Sequence, residues 1–193
     1  MAKQPARMLE LVDLRRLQAH VGLLRHGTRN RVIVEVSFKA GPRACEIAGL
    51  TWPMALASSG KISDNLTIAR SIAKYGSGRC IPMHIDLKKA LRSHHTHSDR
   101  PMAGPIIVSE RGGQMSAKSI VNRFDGVYSE LGIVGASSHS VRRTFSTRAA
   151  REISKAGGSL RDVQELAGHR ALTTTERYIM GDRDAQRKLI SML

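Results

Sequence analysis

The chain has 193 residues, 41% of them hydrophobic and only 4% aromatic, so it can bury the core of one large or two small domains from aliphatic side chains. Two cysteines, Cys45 and Cys80, exclude a disulfide scaffold, and no run is long and apolar enough for a membrane span or a signal peptide. Thirty-one Lys and Arg against 16 Asp and Glu give a formal charge of +15, which calls for a polyanionic partner; with so few aromatic rings for stacking on bases, duplex phosphate is favoured over single strands.

From the N-terminus, Met8, Leu11, Val12, Leu14, Leu17, Val21 and Leu24 form a helical stripe, which Gly27 is expected to end. Thr28 is a plausible cap for the next run. Arg31 to Phe38 is dense in β-branched residues and reads equally as strand or buried helix. Gly41-Pro42 makes a turn into a short helix, Arg43 to Leu50. Two extended pieces, Leu66 to Ile72 and Arg79 to Met83, flank Lys74-Tyr75-Gly76-Ser77-Gly78 and predict a hairpin with a glycine-containing tip. Helix resumes at Asp86 to Leu91 and is expected to give way to a polar, solvated loop from Ser93 to Pro101. That loop contains His94, His95 and His97, and no carboxylate pattern beside them suggests a metal.

Ile106 to Val108 predicts a short strand, and Ser116 caps a helix with Ile120, Val121, Phe124, Val127, Tyr128 and Leu131 on one face. A linker at 135–138 leads to a helix that carries His139 and Arg142. Gly157-Gly158 separates it from a final pair. The first of the pair opens on Ser159 with Asp162 three residues on and closes at Gly168; the second is expected to open with Thr173 as cap and Glu176 completing the box. These elements predict a mainly α fold with a small antiparallel β-sheet.

Arg43-x-x-Glu46, Lys74 in its hairpin, His139-x-x-Arg142, Gly168-His169 and Tyr178 fall in the order and spacing of the tyrosine recombinases, the phage integrase family, which the chain resembles over about 9–180. The resemblance implies a metal-independent DNA strand transferase with no cofactor. It makes Tyr178 the nucleophile, Arg43 and Arg142 the clamps on the phosphoryl oxygens, and His139 the proton acceptor. Lys74 would be the general acid, His169 a phosphoryl-oxygen ligand, and Glu46 a support for Arg43. Two guanidinium forks suit this chemistry, because they stay charged and can meet the non-bridging oxygens in pairs. Val141 and Arg143 depart from the family's usual leucine and second histidine.

The resemblance further implies site-specific recombination of double-stranded DNA, by a homo-tetramer on paired sites, with accessory DNA-bending proteins as candidate partners. The cytoplasm, and the nucleoid if the source is bacterial, is the expected location. Residues 1–193 are read as one catalytic domain, with 181–193 a tail able to dock on a neighbour. Longer relatives carry an N-terminal helical domain, and here 42 residues precede Arg43, as in a short form or a catalytic fragment. Two other readings stay open: a type IB topoisomerase-like enzyme with the same chemistry, and a non-catalytic DNA-binding regulator on the same fold.

Overall fold

The computed structural model describes residues 6–176 and 190–191. Residues 6–176 form eight α-helices: α1 (Leu11–Leu23), α2 (Gly27–Lys39), α3 (Ala44–Ala48), α4 (Ile85–His97), α5 (Ala117–Glu130), α6 (Ser138–Glu152), α7 (Leu160–Ala167) and α8 (Leu172–Glu176). One antiparallel pair, β1 (Asn65–Ile68) and β2 (Arg79–Pro82), completes the framework. The fold is therefore mainly helical with a small antiparallel sheet. Among the described residues no helix is long and apolar enough to cross a membrane.

The ambiguous β-branched run is helix. Val32, Ile33, Val34, Val36 and Phe38 of α2 are all buried, because α1, α3, α4 and α6 surround it. A helix covered on every side loses its 3.6-residue polarity pattern, which is why periodicity could not tell it from a strand. Its start also differs from expectation: α1 already ends at Leu23, and Gly27 opens α2 instead of closing α1, with His26 rather than Thr28 at the cap. The Thr28 hydroxyl instead donates to His94 Nδ1 at 3.1 Å, while His94 Nε2 donates to the Ile106 carbonyl at 2.9 Å.

The histidine-rich stretch is not a solvated loop. α4 runs through it, His94 and His95 are buried, and the His95 ring lies 4.6 Å from that of Trp52. Polarity was a poor guide there because each imidazole is satisfied internally, His95 Nε2 by the Pro101 carbonyl. The expected strand at Ile106 to Val108 is reduced to isolated bridges, Thr51 with Pro105 and Val108 with Gln114, although Ile106 and Ile107 are fully buried.

Two loops are tightly defined. In the hairpin, Leu66 pairs with Ile81 and Ile68 with Arg79; β1 stops at Ile68, short of the expected Ile72, and Lys74 to Gly76 form a single tight turn at the tip. Between α2 and α3, Gly41 has φ +61, and a Cβ there would lie 2.2 Å from Phe145 Cδ1 of α6. Glycine is needed both for the left-handed turn and for this close approach. It brings the Gly41 carbonyl against α6.

Candidate functional site

The site is organised by the C-terminus of α7. Ser159 and Asp162 form the capping box that starts this helix, with Ser159 N–H donating to Asp162 Oδ2 at 2.7 Å, and Gly168 ends it in the left-handed conformation at φ 61, ψ 44. The last carbonyls of any helix lack intrahelical partners and carry the negative end of its dipole. Here three arginines, from three distant parts of the chain, supply the donors. Arg79 Nε donates to the Leu166 carbonyl at 2.9 Å, Arg142 Nη2 to Ala167 at 2.6 Å and Arg43 Nη2 to Gly168 at 3.1 Å. Gly168 is required twice over, since a Cβ there would also sit 2.7 Å from Arg79 Nη1.

Gathering three guanidiniums costs electrostatic energy that the helix end alone does not offset. Glu46, fully buried one turn into α3, supplies the counter-charge. Its Oε1 accepts from Arg43 Nη1 at 3.2 Å and Arg79 Nη1 at 3.1 Å; its Oε2 accepts from Arg79 Nη2 at 2.9 Å and the Arg43 N–H at 2.8 Å. Burial by itself pushes this carboxyl's pKa up, but the hydrogen bonds and charge of Arg79, then those of Arg43, outweigh it and hold the value below the usual carboxylate range.

Arg79 is the member that sequence alone left unassigned. A signal was present: strand alternation puts Arg79 on the same face as Ile81, and the residue paired with it, Ile68, is fully buried. An arginine on the buried face of a short hairpin needs a partner inside.

Arg142 lies one turn into α6, where Ser137 N–H donates to Ser140 Oγ at 3.0 Å to fix the helix start. Its Nη1 donates to the Gly41 carbonyl at 2.5 Å, so this one side chain joins the α2–α3 turn to the end of α7. His169 follows Gly168 directly and is buried, with Nδ1 and the Thr175 hydroxyl of α8 2.9 Å apart. α8 begins at Leu172, so Thr173 lies within the helix and not at its cap as expected.

Burial, followed by the charges of Arg142, Arg43 and Arg79, pushes the His169 pKa down to about 4. The imidazole is neutral at pH 7. Because the folded value lies below the unfolded one of about 6.5, the stability it contributes is complete above that pH and is lost as pH falls toward 4. An NMR titration of the DNA-free protein is expected to follow this ring to a midpoint well below 6; a midpoint at or above 6.5 would contradict the burial argument.

Of the sequence candidates, Arg43, Glu46, Arg142 and His169 are thus brought into one cluster. Lys74 sits on the exposed hairpin tip, and His139 is exposed on the first turn of α6, three residues before Arg142. Tyr178, the candidate nucleophile, and most of the 181–193 tail lie outside the described residues. A cleft of about 750 Å³ opens between the hairpin and α7, lined by Ser77, Arg79, Gln164, Gly168, His169 and Arg170 among others. The other two tyrosines differ sharply: Tyr128 is buried and its hydroxyl pKa is pushed up by burial, while Tyr75 is 70% exposed.

This constellation, an Arg-x-x-Glu turn, a lysine hairpin, His-x-x-Arg on a helix and Gly-His after another, agrees with a sequence-family match. The model of the phage integrase family matches residues 7–184. The chain belongs to the phage integrase family.

The tyrosine recombinase XerD of Mycobacterium leprae is 30% identical over 165 residues, covering 79% of this chain and 48% of the relative. XerC of Pelobacter propionicus is 26% identical over 155 residues, with the same coverage. The chain therefore spans about half the length of these curated relatives. Among solved structures, XerA recombinase superposes with a TM-score of 0.70 at 23% identity, over 98% of this chain and 66% of that one. XerH bound to its difH substrate gives 0.73 at 16% identity, over 98% and 54%. These likenesses establish the tyrosine recombinase catalytic-domain fold of this integrase-family chain.

Proposed function

We propose that this integrase-family chain is the catalytic domain of a site-specific recombinase, cutting and rejoining double-stranded DNA through a 3′-phosphotyrosyl intermediate. The observation that carries the reading is the convergence of Arg43 and Arg142, from distant parts of the chain, on consecutive carbonyls beside His169. Guanidiniums so fixed can meet the two non-bridging oxygens of one phosphodiester without reorganising during the reaction. The likeness to a Tn1549 transposon integrase in complex with a circular intermediate DNA supports DNA as the substrate.

In this reading the Tyr178 phenol oxygen attacks phosphorus as its proton passes to His139, and the 5′ oxygen departs with a proton from Lys74. Arg43 and Arg142 stabilise the charge growing on the pentacoordinate phosphorus, and neutral His169 orients a phosphoryl oxygen. The arginines supply the charge compensation that divalent ions give other nucleases, so no step calls for a metal or a cofactor. The phosphotyrosyl bond keeps the energy of the broken phosphodiester, and a 5′ hydroxyl reverses the step. A homo-tetramer on two paired sites, joined by the 181–193 tail and helped by DNA-bending proteins, would complete strand exchange.

The test is incubation with a nicked duplex carrying a candidate site, in chelator. A detergent-resistant protein–DNA adduct is expected, with at least a roughly 100-fold loss in Tyr178→Phe. Adducts on any duplex, with relaxation of supercoiled DNA by the monomer, would instead support a topoisomerase-like enzyme. Binding with a steep salt dependence and no adduct would support a regulator.

A further inference from the structure

We propose that Tyr75 is a positioning residue that holds Lys74 at the mouth of the cleft. The proposal rests on the reading of Lys74 as the proton donor. Tyr75 follows Lys74 at the hairpin tip with φ 62, ψ 24, a left-handed conformation that a bulky side chain rarely adopts. The turn itself does not ask for a tyrosine. Gly76 next to it has φ +65, and the tip is closed by a backbone bond from Gly76 N–H to Ala73 O at 3.1 Å and by the Ser77 hydroxyl, which donates to Lys74 O at 2.9 Å. Glycine at position 75 would make the same turn without strain.

The ring is not spent on the core either, being 70% exposed. What it touches are cations. Lys74 Nζ lies 5.1 Å from the ring centroid, and Arg170 Cζ, from the residue after His169, lies 5.9 Å from it. Each cation thus has the ring's negative face as a neighbour, while the two positive charges repel one another. The ring thus bridges the tip carrying Lys74 to the segment carrying His169, 95 residues away at Arg170. Without it, no side-chain hydrogen bond or ion pair among the described residues ties the tip at 74–77 to that segment, and Lys74 would sample positions away from the scissile phosphate.

A sulfur leaving group separates this role from a structural one, because a thiolate departs without a proton. The full chain would be assayed in single turnover on a site-bearing duplex with the ordinary bridging 5′ oxygen and on one with 5′ sulfur. Tyr75→Gly is expected to cut the oxygen substrate about 10-fold more slowly, a fraction of the 10²- to 10⁴-fold that general acid catalysis supplies, and the sulfur substrate at the wild-type rate. Its thermal midpoint should be no lower than wild type, since glycine relieves the left-handed strain. Tyr75→Phe, which keeps the ring face, should match wild type on both. Equal rates for Tyr75→Gly and wild type on oxygen, or an equal loss on oxygen and sulfur, would overturn the proposal. Lys74→Ala separates the two levels: slow on oxygen and restored on sulfur, it upholds the lysine; slow on both, it removes the lysine assignment and Tyr75's role with it.

Discussion

Arg142→Ala is expected to slow single-turnover cleavage by about 10²- to 10³-fold, the loss typical when one preorganised donor to a developing oxyanion is removed. The side chain has two jobs. It would face the phosphate, and its Nη1 and Nη2 also hold the Gly41 and Ala167 carbonyls, joining the α2–α3 turn to the end of α7. On the proposed mechanism, truncation would remove a charge from the transition state and also break the link between the α2–α3 turn, next to Arg43, and the end of α7. Arg142→Lys keeps the charge, but an ammonium lacks the planar fork that spans both carbonyls, so it should recover only a small part of the rate. Rates are to be expressed per DNA-bound protein, with affinity measured separately. A variant that binds and cleaves within about a factor of 3 of wild type would mean that Arg142 does not contact the reacting phosphate.

Glu46→Leu is expected to destabilise the fold by about 3 to 5 kcal/mol, the cost of breaking a buried ion pair from one side. Four hydrogen bonds from two arginines converge on this carboxylate, and Arg79, only 7% exposed, would be left buried without its counter-charge. The pH dependence has a definite sign. The folded pKa is depressed, so the stability that Glu46 supplies is complete above the unfolded value of about 4.3 and is lost as pH falls through the folded value beneath it. Urea unfolding at pH 7 should give the predicted loss, and the difference between Glu46→Gln and wild type should narrow as pH falls below about 4. A constant difference across that range would show that the carboxylate's charge is not what matters.

Much of the site was legible because its local signals are strong. Ser159-x-x-Asp162 and Gly168 mark the start and end of α7 without reference to anything distant. The Arg43 to Glu46 spacing already implied one helical turn between the pair. What could not be read were features decided by tertiary contact. α2 is surrounded, so its polarity pattern vanishes. His94 and His95 look solvated until Thr28, Ile106, Pro101 and Trp52 are brought beside them. Likewise α8 starts one residue before the expected cap at Thr173, and it is Thr175 whose hydroxyl reaches His169. Arg79 stood in plain view as part of a strand, and only the burial of Glu46 reveals its partner.

Peptide mapping of a trapped adduct is the most direct trial of the central claim, because it asks which phenol becomes bonded to DNA. The chain has three tyrosines: Tyr128 is buried with its hydroxyl held protonated, leaving Tyr178 and the exposed Tyr75. Proteolysis of the complex formed in chelator, followed by mass spectrometry, should find the nucleotide on the peptide that contains Tyr178. A nucleotide on the Tyr75 peptide, or an adduct that forms only when divalent metal is restored, would contradict the account.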